Sequence, residues 1–389
     1  MALGLLAFFQ LGAIQAAYGP AFSALQARHG VDVAEVGASV GAQFFGGFVG
    51  VLASGALLAR LGYRRSMIAA ALLLAAGGAV VAGALSWPMV LLGALLAGIG
   101  YGVSVVLYNF LFARAFAPAG AAAVNLINGM FGVGAIAMPA AVGLATAALA
   151  ARDPGRIAQV PPLVFGGVAA LALLVVLLAL RVPWLPPRRA LGSGSSRPAA
   201  SAAGVFGGAA LFSALMFLYV AAEVATTSWA PTHLAATVGV ARAALVVSVF
   251  WIAMTAGRFL AAALASRWRP GDLVLGAVAV TLVGIVIAHL PGLAFVGYAI
   301  VGVGLAPVFP TAVVWIERRF GERTERVAPW ILAVGNLGPV LGAPAVGLVV
   351  AASGPVAVPT ALAAGLALLA AVVLALWWGD RRDGSLPQG

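Results

Sequence analysis

Pro183-Trp184-Leu185-Pro186-Pro187-Arg188-Arg189, followed by a Gly/Ser/Ala-rich run to residue 203, is the one long polar break in a chain of 389 residues. Prolines and small residues of this kind neither sustain a helix nor bury a core, so the stretch reads as a flexible linker. On either side lie apolar stretches that follow one another with little interruption. Cutting them at charged residues and at Pro/Gly-rich turns predicts six segments before the linker, at 3–25, 35–58, 66–86, 88–112, 121–149 and 162–181. Six more follow it, at 205–231, 241–265, 272–289, 292–315, 328–352 and 356–378. Each is long enough to cross a hydrocarbon layer of about 30 Å as a helix of roughly 20 residues. The expected fold is an all-α membrane protein with twelve transmembrane helices in two six-helix bundles. Its divisions are bundles at 1–182 and 204–379, the cytoplasmic linker at 183–203 between them, and a tail at 380–389.

Composition supports this. The chain is 63% hydrophobic and 8% charged, with a mean hydropathy of +1.12. A soluble globular chain carries roughly 25% charged residues, so this one cannot cover a surface in water. Fifty glycines and 22 prolines suit membrane helices, where small residues allow close approach and neighbouring helices satisfy freed backbone groups. The absence of cysteine leaves no disulfide framework and no thiolate metal site. The first apolar segment lacks a basic start and a small-residue cleavage site, and is expected to span the membrane rather than act as a signal peptide. A net charge of +11 fits nucleic acid or positively charged cytoplasmic loops. In so apolar a chain the loops are the better reading, so the expected partners are the bilayer and a small molecule, not nucleic acid.

Arginine alone sets orientation, because lysine is absent. With a cytoplasmic N-terminus, 17 of the 21 arginines fall on the inner side. The four left outside are Arg28, Arg152, Arg156 and Arg242. This bias predicts that both termini are cytoplasmic. The halves also echo one another. Pro139-Ala140-Ala141-Val142-Gly143-Leu144 and Pro344-Ala345-Val346-Gly347-Leu348 occupy the fifth segment of each half, and Gly134 and Gly338 precede them at an offset of 204. Paired bundles of this type build transporters whose site lies at the bundle interface near the midplane.

Between segments 2 and 3 the chain reads Gly55-Ala56-Leu57-Leu58-Ala59-Arg60-Leu61-Gly62-Tyr63-Arg64-Arg65. This resembles the signature loop of the major facilitator superfamily, with Ala59 where that loop usually carries an acid. The resemblance implies a conformational-gating role for Gly55, Arg60, Gly62, Arg64 and Arg65, while Ala59 carries no charge for the relay that the acid gives in the family. Three further stretches are similar to the fucose permease-like branch. They are Asn125-Leu126-Ile127-Asn128-Gly129-Met130-Phe131-Gly132-Val133-Gly134-Ala135, Phe217-Leu218-Tyr219-Val220-Ala221-Ala222-Glu223-Val224 with Trp229 beyond it, and Gly304-Leu305-Ala306-Pro307-Val308-Phe309-Pro310-Thr311. Asn128 stands where the branch more often has His. The resemblance implies sugar transport, often coupled to protons. The branch's best-known fucose symporter has acids in helices 1 and 4, which this chain lacks, so those coupling residues have no counterpart here.

Of the ten acids, Glu223 falls inside a predicted span and the others in loops, tails or helix ends. An acid at that depth costs a few kcal/mol and usually faces a cavity or a partner. It suits proton exchange or acceptance of hydrogen bonds from sugar hydroxyls; the alternative is a brace against another helix through an Asn or Gln. Tyr219, Glu223 and Thr227 form one helical stripe. Gln15 and Tyr18 in segment 1, Gln43 in segment 2, Asn109 in segment 4, Asn125 and Asn128 in segment 5 and Asn336 in segment 11 are candidate substrate contacts, or plain interhelical hydrogen bonds. Trp251 could stack on a sugar ring, and Trp229 could contact solute or anchor the helix at the membrane interface. Arg258 is expected to snorkel or to pair near the cytoplasm, with Glu317 as a candidate partner, rather than to bind substrate. His29, His233 and His289 fall at loops or helix ends, which predicts no metal site.

These residues predict a secondary transporter in the cytoplasmic (inner) membrane, monomeric and without cofactor. It would move a sugar or sugar-like solute by alternating access, with Glu223 as the route for proton coupling. The alternatives are an exporter of drugs or amphipathic metabolites and an uncoupled uniporter. An intramembrane enzyme would need a nucleophile–base pair or metal ligands at membrane depth, which the sequence does not offer.

Overall fold

The computed structural model describes residues 1–116, 120–181, 202–265 and 267–382. The predicted linker up to residue 201, and the tail from residue 383, lie outside them. The first half contains α1 (Ala2–Gln15), α2 (Tyr18–His29), α3 (Val33–Val36), α4 (Ala38–Ala82), α5 (Trp87–Ala115), α6 (Gly120–Ala150) and α7 (Val160–Arg181). The second contains α8 (Ala202–Val238), α9 (Val240–Ala243), α10 (Leu245–Ala265), α11 (Pro270–Ala288), α12 (Ala294–Leu305), α13 (Val308–Phe320), α14 (Thr324–Ser353) and α15 (Val358–Arg382).

Among the described residues ten stretches are long and apolar enough to cross a membrane, or 11 if the bent pair α1 and α2 counts as one. One of the ten, Val33–Ala82, runs for 50 residues, about twice what a bilayer requires. It contains Gly62 at φ 73° and ψ 171°, a conformation open to glycine and closed to residues with a Cβ. The chain turns there, so this stretch holds predicted segments 2 and 3, and the twelve crossings are accounted for. Segment 1, expected as one straight helix, is instead bent by 54° between Gln15 and Tyr18. Pro20 explains the bend: it has no N–H to offer the Ala16 carbonyl, and its ring crowds that group.

Acids at the helix ends take local partners. Asp32 and Glu35 form a capping box at α3, with Glu35 N–H donating to Asp32 Oδ1 at 2.8 Å and Asp32 N–H donating to Glu35 Oε2 at 3.1 Å. Asp272, in the first turn of α11, accepts from Trp377 Nε1 at 2.6 Å and lies 3.5 Å from the Arg381 guanidinium. Asp380 near the end of α15 accepts from Trp315 Nε1 and pairs with Arg319 at 3.4 Å.

The helices gather into two compact units. Unit 1 comprises Met1–Gly192, Thr227–Ser248 and Ala343–Pro355; unit 2 comprises Ser193–Thr226, Val249–Gly342 and Val356–Gly389. The boundaries cut α8, α10 and α14. In unit 1, α1 and α6 meet through glycine: a methyl at Gly12 would run into the Phe131 carbonyl, and one at Gly134 into the Phe9 carbonyl. In unit 2, a methyl at Gly338 of α14 would run into the Phe217 carbonyl of α8. Gly134 and Gly338 are the residues that echo one another in sequence, and each seats the fifth helix of its half against the first. Backbones this close gain dispersion contact where lipid supplies no hydrophobic force between helices.

Within unit 1, the Thr227–Val238 end of α8 packs against elements of the first half. Trp229 is fully buried, donates its indole N–H to the Ala343 carbonyl at 2.8 Å, and stands edge-on to Phe22 at 5.0 Å. It is therefore not an interfacial anchor, because its polar edge already has a protein partner. Ser248 of α10 donates to the Ile136 carbonyl of α6 at 2.7 Å.

Candidate functional site

Some of the polar residues singled out in the sequence are brought together within each unit. In unit 2 the cluster centres on Glu223, in the middle of α8 and 8% exposed. Tyr219 lies one helical turn before it on the same face and donates its phenol O–H to Glu223 Oε2. The Arg258 guanidinium of α10 reaches this pair: it hydrogen-bonds to Tyr219 and acts electrostatically on Glu223. Tyr219 is thus a bridge, donating a hydrogen bond to the carboxylate and accepting one from the guanidinium. Arg258 also contacts Met254 Sδ at 3.7 Å. The Phe309 ring lies 6.2 Å from that of Tyr219, and Phe309 itself is 40% exposed.

This placement corrects the expectation that Arg258 snorkels, or pairs with Glu317, near the cytoplasm. Trp251, Met254 and Arg258, at i, i+3 and i+7, share one face of α10. Trp251 and Met254 are buried, so that face turns toward protein and carries Arg258 to the acid. Glu317 instead lines a cavity of about 440 Å³ between α13 and α14, with Val313, Ile316, Gly321, Thr324, Ala328 and Leu332. Beside the acid stand a phenol and a guanidinium.

In unit 1 the cluster is neutral. Tyr101 of α5 donates to Gln15 Oε1 of α1 at 2.6 Å. Asn128 of α6 donates to Asn109 Oδ1 of α5 at 2.9 Å, and Asn109 donates to the Val105 carbonyl at 2.7 Å. Asn125 and Asn128 are exposed, and Gln15 and Asn109 are half-buried. Gln15, Asn109 and Asn128 retain open surface beside the hydrogen bonds that orient them. Tyr101 was not singled out in the sequence, since an aromatic in a Gly-rich apolar run reads as packing.

The remaining candidates are placed differently. Tyr18 is buried, its ring 4.8 Å from that of Phe165, and its hydroxyl has no hydrogen-bond partner among the described residues. Gln43 is buried in the α4–α5 seam, where its carbonyl faces Gly98. Trp251 is buried against Phe250, ring centres 5.8 Å apart. None of these three presents an open face here. Asn336 is half-buried and donates to the Leu332 carbonyl of its own helix at 3.2 Å. In the loop around Gly62, Gly55, Arg60, Arg64 and Arg65 are exposed. Arg64 donates to the Leu180 carbonyl at 2.9 Å, satisfying a carbonyl at the end of α7 that the helix leaves unpaired. No three His, Cys, Asp or Glu side chains converge among the described residues.

A family model described as Major Facilitator Superfamily matches residues 4–328 and 211–388. No curated protein sequence matches the chain. Solved structures do. The nucleoside transporter NupG superposes with a TM-score of 0.79 at 17% identity, covering 96% of this chain and 98% of its own. The xylose transporter XylE from E. coli gives 0.74 at 15%, over 97% and 94%. The E. coli fucose:proton symporter FucP gives 0.60 at 18%, over 96% and 97%. At such identities the likeness establishes the fold.

Proposed function

The chain belongs to the major facilitator superfamily, and on that footing we propose that it is a secondary transporter for a small polar solute of the sugar or sugar-like type. It works by alternating access in the cytoplasmic membrane, as a monomer with both termini inside. Its operative halves are the two bundles read from the sequence, at 1–182 and 204–379. The amides of Gln15, Asn109, Asn125 and Asn128 are the solute's contacts in unit 1. Amides both donate and accept, which matches the donor and acceptor character of a hydroxyl. Fold relatives whose names specify a nucleoside, xylose and fucose support the solute class.

Glu223 couples transport to protons. The observation that carries this role is the Tyr219–Glu223–Arg258 cluster: an acid at the centre of a membrane-spanning helix, tied to a phenol that can exchange hydrogen bonds. Such an acid is a functional group by default, since insertion scales charge it a few kcal/mol. In proteoliposomes, Glu223→Gln should keep counterflow of the solute and lose accumulation driven by a proton gradient by about tenfold or more. Accumulation at the unsubstituted level would sink the coupling role and leave a uniporter.

A further inference from the structure

Arg258 is unusual among the cations of this chain. It lies on a membrane-spanning helix and its guanidinium reaches an acid at mid-span, yet the residue is exposed. Its neighbours behind it are closed in: Glu223, Tyr219, Met254 and Trp251 are all buried. A guanidinium carries five N–H donors in a planar fork. The contacts identified take it to the Tyr219 oxygen and to the Met254 sulfur. Neither is an anion, and sulfur is a weak acceptor. Glu223 balances the charge through Tyr219 without presenting itself on the open side. A cation anchored from behind in this way offers its free edge to a ligand.

From this geometry we infer that Arg258 is the specificity-determining residue for a solute that bears a carboxylate, so that the transported compound is a sugar acid and not a neutral sugar. The inference rests on the sugar-type reading above and narrows it. Arginine suits this task because its fork matches the two oxygens of a carboxylate in a paired, parallel arrangement. Charge balance fits as well. A monoanion beside Arg258 leaves the cluster with one negative charge in excess, and a proton on Glu223 cancels it.

The test uses purified full-length protein with D-glucuronate, D-gluconate, D-glucose, D-xylose, uridine and a set of amphipathic cations. Thermal stabilisation is measured in detergent and counterflow in proteoliposomes. Glucuronate or gluconate should stabilise the unsubstituted protein at concentrations at least tenfold below those needed for glucose. Arg258→Gln should abolish that preference, lowering counterflow of the acid tenfold or more. Arg258→Lys should recover part of it, and its melting profile without ligand checks that the fold survives. If glucose, xylose or uridine engages and the acids do not, or if Arg258→Gln carries the acids as well as the unsubstituted protein, the anion assignment is overturned while the sugar-type reading stands. If only the amphipathic cations engage, both are overturned.

Discussion

The seam between α1 and α6 in one unit and the seam between α8 and α14 in the other are built alike. Gly134 abuts the Phe9 carbonyl and Gly338 abuts the Phe217 carbonyl. The side chains beside the seams differ. The first set is neutral, with Gln15 tied to Tyr101 and Asn128 to Asn109. The second holds a carboxylate, a phenol and a guanidinium. Backbone-to-backbone packing leaves almost no choice of residue, because any Cβ collides. Side chains that project away from the seam are free of that constraint, so two copies of one scaffold can carry different chemistry.

The comparison can be broken most forcefully at the glycines. Gly134→Val and Gly338→Val should each destabilise the protein by about 3 kcal/mol or more, since overpacking a close seam exceeds the usual 1–3 kcal/mol when the obstacle is backbone. Yield of monodisperse protein and its melting temperature read this out, and a large loss at one site with none at the other would end the equivalence. Next comes the contrast between the two tyrosines. Tyr219→Phe should cost about 1.5–3 kcal/mol, because it withdraws a hydrogen bond from a buried charged group, whereas Tyr101→Phe removes a neutral one worth about 1 kcal/mol. Equal losses in a thermal or chemical denaturation series would mean that Glu223 is neutral in the resting protein. Trp229→Phe should cost about 1 kcal/mol by leaving the Ala343 carbonyl without its indole donor. The smallest effect is expected at Asn128→Ala, whose amide is exposed: a change within about 0.5 kcal/mol in unliganded stability, together with weaker stabilisation by solute. Unaltered stabilisation across the ligand panel would assign Asn128 to packing.

Much of the fold was legible in advance because it depends on quantities additive along the chain. Hydropathy marks the spans, and the polar run after Pro183 divides them. A repeated glycine marks the helix that must approach its neighbour most closely. Glu223 could be singled out for the same reason, since an acid in a run of apolar residues needs no neighbour to be conspicuous. The acids at Asp32, Asp272 and Asp380 were equally visible as end residues, although their tryptophan and capping partners were not.

Partnership was not legible. Arg258 was expected at the cytoplasmic edge and is found against Tyr219; Trp229 was a candidate interface anchor and is buried under Phe22 and the Ala343 carbonyl. In each case the direction in which the side chain points was the question. Direction depends on the rotation of one helix against others distant in sequence, and that is set by small-residue packing and interhelical hydrogen bonds. Gly62 lies between these cases: its place in the loop was evident, and its positive φ is what lets two crossings follow one another in α4 with so short a turn. Sequence alone therefore determined which segments of this protein enter the membrane and which of them carries an acid, because transfer from water to hydrocarbon is a property of each residue. Only tertiary structure decided that this acid stands behind a tyrosine with an arginine on its open side, because hydrogen bonds between helices exist only once their faces have been chosen.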